Sequence, residues 1–389
     1  MKKIIIIICL IFCVSILSCF CFWHNKQKDS RVVVQFSSWG SESEISILKP
    51  ILKAFEKENP DIKVDFMHIP QNYFQKVHLL FASNTAPDVI FINNQYLPIY
   101  ANAGVLEGLS KYNNDFEFDK FYPISLATMN WKAETYAVPR DISNLVIFYN
   151  KDLFRKYNVP YPQKGWTIEE FLKSAQKLTH KPQVYGISFD EEPLYYLPFM
   201  MSEGLEGLPY YEKIKNNKGL IFYSDLRRKH KVAPRKEDSA SATMAQMFLQ
   251  GKLGMHLSGR WLVPKYRQEA KFDWDIAEFP KMSKGSIMPM DSSGWAISKS
   301  SKHKSEAIRL IKYLSSKESM DKFAKSGLIV PARIDSSLSS NFLDNQKPKN
   351  AKAFLDIIET SKPTPVSVNY REIIDDLKSR TEALFNPVE

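Results

Sequence analysis

The sequence predicts an α/β protein built as two lobes, and three observations carry that prediction. Short β-branched runs alternate with amphipathic helical stretches between residues 32 and 95. A second alternation of the same kind begins near residue 145. The chain has 389 residues with 44% hydrophobic and 13% aromatic content, enough for two cores and large for one.

The elements follow in order. RVVVQF, from Arg31, is a near-continuous β-branched run, the pattern of a strand buried on both faces of a parallel sheet. Leu48, Ile51, Leu52 and Phe55 then recur at helical spacing until Asn59-Pro60 stops them; Pro50 is tolerable only near the first turns. The strand IKVDF, an amphipathic stretch from Tyr73 to Ala82 and the strand DVIFI complete a β-α-β-α-β series. Right-handed crossovers bring the C-terminal ends of such strands to one edge, where open α/β sheets bind ligands. Trp39 and the segment Asn93 to Tyr96 fall on that edge.

In the second half, LVIFY reads as a strand, Ile168 to Leu178 as a helix, YGISF as a strand, and a helix precedes Gly251. Thr167 and Glu170 form a capping box, with Trp166 and Phe171 at the staple positions, so Trp166 reads as structural. Ala307, Ile308, Ile311 and Leu314 mark another amphipathic helix, and the helical stretch after it stops at Gly327. There is no internal repeat.

The N-terminus reads as an export leader occupying residues 1–21. Lys2 and Lys3 precede an apolar run, Ile4 to Leu17, too short to span a bilayer comfortably. Ile16-Leu17-Ser18-Cys19 resembles a bacterial lipobox, which makes Cys19 the expected lipidation site. The alternative is an uncleaved anchor, since the apolar stretch continues through Phe20, Cys21, Phe22 and Trp23 to spanning length. All four cysteines, Cys9, Cys13, Cys19 and Cys21, lie in this leader, so the body has neither a disulfide framework nor a thiolate metal site.

The formal charge of +10 is spread along the chain, and tracts such as RRKHK and KPKNAK are short. Without a basic stripe or a known module, nucleic acid is not an expected partner. No G-x-S-x-G, G-x-x-x-x-G-K-[ST] or H-E-x-x-H motif is present, the seven histidines are scattered, and no metal or cofactor is implied.

Seven stretches in a fixed order give the sequence a family likeness. FEKENPDIKVDF, APDVIFINNQYLPIYANAGVLEGL, YAVPRDISNLVIFYNKDLF, GWTIEEFLKSAQKLT, FLQGKLGMHLSGRW, GWAISKSSKHKSEAIRLIKYL and GLIVPAR together resemble the family 1 extracellular solute-binding proteins. That family includes the maltose- and glycerol-3-phosphate-binding proteins of ABC importers. The resemblance, over roughly residues 32–335, implies a type II periplasmic-binding-protein-like fold with discontinuous lobes joined by hinge crossings. The crossings are expected near Ser143–Val146, Met290–Trp295 and Leu328–Pro331. Lobe 1 would comprise 31–144 and 293–328, and lobe 2 145–292 and 329–389.

The resemblance also implies a non-enzymatic, monomeric receptor that passes a small solute to separate permease subunits. It would be lipid-anchored to the bacterial membrane or face the periplasm. A sugar presents apolar C–H faces and a rim of hydroxyls, which calls for flat aromatic surfaces and fixed polar groups. Trp39, Tyr96, Trp261 and Trp295 are the aromatic candidates, with core packing as their alternative. Glu42, Asn93, Asn94, Arg140, Asp141, Arg260, Ser292 and Ser293 are the polar candidates; Arg140 and Asp141 could instead pair with each other or cap the hinge. Arg140 and Arg260 leave a polyol phosphate open as ligand. A surface-anchored glycan hydrolase would need two opposed carboxylates, and Asp190, Glu191 and Glu192 are adjacent in a turn before Pro193. A scaffold or adhesin that keeps the fold without a ligand is a further alternative.

Overall fold

The computed structural model describes residues 31–239 and 241–386. The leader, Cys19 and residues 22–30 lie outside them. In the first half, β1 (Val32–Ser38), α1 (Glu42–Glu58), β2 (Ile62–His68), α2 (Tyr73–Ala82) and β3 (Val89–Asn93) are followed by β4 (Val138–Ser143). Next come β5 (Leu145–Asn150), α3 (Ile168–Leu178), β6 (Tyr185–Ile187), α4 (Pro193–Ser202), α5 (Lys218–Arg228), β7 (Leu253–Gly259) and β8 (Trp274–Ala277). The chain ends with β9 (Pro289–Ile297), α6 (Lys304–Leu314), α7 (Lys317–Lys325), β10 (Val330–Pro331), β11 (Lys362–Pro363) and α8 (Tyr370–Phe385). No helix among the described residues is long and apolar enough to cross a membrane.

Two sheets organise these elements. The first runs in the order β10-β4-β9-β3-β1-β2, with β11 beside β9; the second runs β8-β5-β7-β6. β1, β2 and β3 are parallel, as the β-α-β-α-β reading requires, whereas β9 joins antiparallel to both β3 and β4. The expected parallel sheet is therefore mixed. Because β9 and β10 run opposite to their neighbours, their N-terminal ends join the C-terminal ends of β1, β3 and β4 on one edge.

Between β9 and β4 the register slips at Ser293/Gly294: Gly294 faces Pro139 and Ser293 faces Asp141, leaving Arg140 with no opposite residue on β9. Such a bulge bends the strand and re-aims a side chain. Gly294 permits it, because a Cβ there would lie 2.1 Å from the Val138 carbonyl oxygen.

Consecutive strands β4 and β5 belong to different sheets, and Asn144 alone separates them. The Asn144 amide donates to the Phe354 carbonyl at 2.8 Å, fixing this crossing. Along β5 the side chains alternate: Leu145, Ile147 and Tyr149 enter one core, and Val146 and Phe148 enter the other. α8 closes the second lobe, placing Leu377 and Phe385 in its core with Tyr196 and Tyr223.

The boundary expected after residue 328 needs correction. Val330–Pro331 pairs with Ile142–Asp141 of β4, and the Tyr122 hydroxyl meets Ser337 Oγ at 2.8 Å, so this segment stays with the first sheet. Hydrogen bonding to β4 holds it there; the chain leaves only afterwards, and Phe354 packs on Phe148. YGISF is likewise shorter as a strand, limited to Tyr185–Ile187.

Candidate functional site

The strand ends place the candidate side chains. β1 stops at Ser38, and Trp39 emerges at the crevice, its ring held edge-on by Tyr73, Phe74 and Phe91 at 5.8, 5.2 and 5.4 Å. Tyr73 ties two strands together: its hydroxyl donates to the Ser37 carbonyl at 3.1 Å and accepts from the Phe91 amide at 3.0 Å. Tyr96 stacks on Phe74 at 3.7 Å, and Asn93 Oδ1 accepts from the Tyr96 amide at 3.1 Å. Trp39, Glu42, Gln71, Tyr73, Tyr96 and Arg371 line a space of about 730 Å³.

A second space of about 170 Å³ shares Trp39 and lies at the crossing itself. The first lobe contributes Glu44, Arg140, Asp141, Ser293 and Ile329, the second Arg260 and Trp261, and Asn144 sits between them. Arg140 is bonded to Glu44 and to Asp141 (2.7 Å), with its guanidinium 4.4 Å over the Phe91 ring. Burial works against its charge, yet the two carboxylates hold its pKa above the ordinary arginine value. Burial outweighs Arg140 for Asp141, whose carboxyl is pushed up.

Arg260 is different. It is 2% exposed and lies 3.8 Å over the Phe342 ring, with one long bond of 3.5 Å from Nη2 to the Phe342 carbonyl. Its Nε and Nη1 have no partner, and burial, then repulsion from Arg267, lowers its pKa to about 9. A buried guanidinium with unpartnered N–H groups is a costly arrangement for a fold to keep. Trp261 beside it is 37% exposed and folds back over Gly259, where a Cβ would lie 1.9 Å from the indole ring.

A sequence profile of the bacterial extracellular solute-binding proteins matches residues 39–321. The chain belongs to this family. This solute-binding protein is 25% identical over 343 residues to the maltodextrin-binding protein of Bacillus subtilis, covering 82% of this chain and 77% of that one. It is 23% identical to the galactooligosaccharide-binding protein of the same species, with 90% and 83% covered. Among solved structures it superposes on an ABC substrate-binding protein of Listeria monocytogenes in complex with cycloalternan (TM-score 0.81, 26% identity, 92% and 94% covered). These matches fix the two-lobed architecture.

Within the solute-binding protein, the residues singled out from sequence fall into four groups, with Trp39 shared by two. Trp39, Glu42 and Tyr96 line the larger space; Trp39, Arg140, Asp141, Arg260, Trp261 and Ser293 line the space at the crossing. Asn93, Asn94 and Ser292 brace the turn instead: Asn94 is 1% exposed, donates to Asp291 at 2.8 Å and accepts from the Ser292 amide at 3.2 Å. Trp295 is a correction, since at 1% exposure it packs inside the first lobe and lines neither space.

Glu44, Tyr73, Gln71, Asn144 and Arg371 were not singled out. Ser41 caps α1 by accepting from the Glu44 amide at 3.3 Å, and Ser41-x-x-Glu44 reads as a capping box. That reading points Glu44 at its own helix; in the fold its carboxylate reaches Arg140. No group of His, Cys, Asp and Glu among the described residues could hold a metal ion.

Proposed function

We propose that this protein is a carbohydrate receptor, closing on an uncharged sugar between its lobes and delivering it to a separate ABC permease. The observation that carries this reading is the lining of the space at the crossing. Trp39 and Trp261 offer aromatic surfaces from opposite lobes, and Arg260 borders the same space beside them. Glu44 and Asp141 balance Arg140 and Arg260, so the lining carries no net charge and suits hydroxyls rather than an ion. Ligand contacts with both lobes favour the closed state, and only that differential affinity shifts the equilibrium. The relatives' names, a maltodextrin-binding and a galactooligosaccharide-binding protein, support the same substrate class.

Binding is proposed to proceed without chemistry, in a monomer tethered outside the cytoplasmic membrane by lipid on Cys19. Of the acidic run, Glu191 pairs with Arg227 at 2.8 Å and Glu192 with Lys378 at 2.7 Å, which leaves no opposed pair of free carboxylates there. A polyol phosphate is the second reading, favoured by the two arginines, Arg140 and Arg260, that border the space at the crossing. The test is a melting-temperature screen of residues 22–389 against neutral sugars and glycerol phosphates. Ligand at about 100 times its Kd adds roughly 2.7 kcal/mol of stability, several degrees. A shift with neutral sugars and none with glycerol phosphates is expected; the reverse result replaces the first reading with the second.

A further inference from the structure

The larger space ends at a contact between the lobes. Arg371, in the first turn of α8, donates from Nη1 to the Tyr96 hydroxyl at 3.1 Å. Tyr96 is held from behind by its stack on Phe74 and by the Asn93 bond to its amide. α8 packs on α4 and α5 of the second lobe, whereas Tyr96 follows β3 of the first. On the far side of this contact lies another space, of about 590 Å³, bounded by His78, Leu79, Ile99 and Val368. Phe74, Gln75, Tyr96 and Arg371 border both spaces, and of these the Arg371–Tyr96 contact is the one made across the lobes.

We infer that the Arg371–Tyr96 pair limits the length of the bound glycan, making Arg371 a specificity-determining residue for short linear oligosaccharides. This rests on the carbohydrate reading above. The space of about 730 Å³ on the Trp39 side is within the range that holds a small ligand, roughly 300–1,000 Å³. A longer chain entering along the groove meets the paired side chains before it reaches the far space. The Arg371 side chain is 53% exposed, so the bond is a weak surface contact that acts by occupying the passage rather than by stabilising the fold. Removing the guanidinium joins the two spaces into one groove running from Trp39 to Val368.

The experiment is calorimetric titration with linear α-glucans and β-mannans of two to seven units, using the soluble protein and three variants. Arg371→Ala removes the wall. Tyr96→Phe keeps the stack on Phe74 but removes the acceptor, leaving Arg371 held only by Asp375 on its own helix, 3.9 Å away. Arg371→Lys retains a donor and most of the bulk. The ratio of hexamer to trimer affinity should rise about tenfold in Arg371→Ala, rise less in Tyr96→Phe, and stay at the unsubstituted value in Arg371→Lys. Glycan binding with one unchanged ratio across all four proteins overturns the wall. Failure of the unsubstituted protein to bind any glycan overturns the carbohydrate reading and the inference with it.

Discussion

Replacing Trp261 with alanine separates a binding role from a structural one. The indole is 37% exposed and rests on Gly259, so truncation opens no enclosed cavity. A fully buried tryptophan costs about 3–5 kcal/mol on truncation to alanine, and this half-covered one should cost about 1 kcal/mol. Its other face borders the space at the crossing, together with Trp39, Arg140 and Arg260. An aromatic side chain at the centre of a buried ligand contact is typically worth about 2 kcal/mol or more, which corresponds to a roughly 30-fold weaker Kd. The assay pairs calorimetric titration of the ligand found by the melting screen with the melting temperature of the ligand-free variant. We expect a Kd at least tenfold weaker and a melting temperature within a few degrees. An unchanged Kd in a folded variant refutes the placement of Trp261 against the ligand; a collapse in melting temperature shows that its surface is structural instead.

Other substitutions probe the frame around the site. Glu44→Gln leaves the buried Arg140 with Asp141 as its remaining anionic partner, and should cost about 2 kcal/mol in chemical denaturation, below the 3–5 kcal/mol of an entirely unpaired charge. No change would mean that Asp141 alone satisfies the guanidinium. Gly294→Ala drives a Cβ to 2.1 Å from the Val138 carbonyl oxygen; we expect at least ~3 kcal/mol of destabilisation by the same assay, and a neutral result would rule out the bulge geometry. His256 is buried with Nδ1 2.6 Å from the Tyr266 hydroxyl, and burial lowers its pKa from 6.5 to about 3. The unfolded chain therefore takes that proton first, so the stability this group contributes is full above pH 6.5 and is lost as pH falls toward 3. Asp190 has the opposite sign: burial pushes its pKa up to about 6, so protonation there favours the folded state as pH falls. Removing only the histidine contribution, His256→Gln should lose stability less steeply below pH 6.5, by up to ~1.4 kcal/mol per pH unit; parallel acid limbs would contradict this.

What the sequence made legible was local. The β1 to β3 series and the Thr167–Glu170 capping box rest on spacings of two to four residues, and both stand in the structure. The role of Trp295 was not legible, because β9 is buried along nearly its whole length and its pattern does not say which side chains face the crevice. Glu44 and Arg371 escaped for a related reason: their partners, Arg140 and Tyr96, lie 96 and 275 residues away, and no local pattern encodes such a meeting. Val330–Pro331 is a strand of two residues, too short to leave a periodic signal, so the return of the chain to the first sheet was missed.

The single residue between β4 and β5 makes the two sheets share one phase. Side chains alternate along each strand, so the parity of positions fixed in β4 carries through Asn144 and determines which β5 residues enter which core. One residue inserted after Asn144 would invert that assignment, exchanging Val146 and Phe148 with Leu145, Ile147 and Tyr149 across the second sheet. A deletion would do the same. The crossing thus acts as a reading frame as well as a pivot, and we expect the length of this connection to tolerate less change than the identity of the residue that fills it.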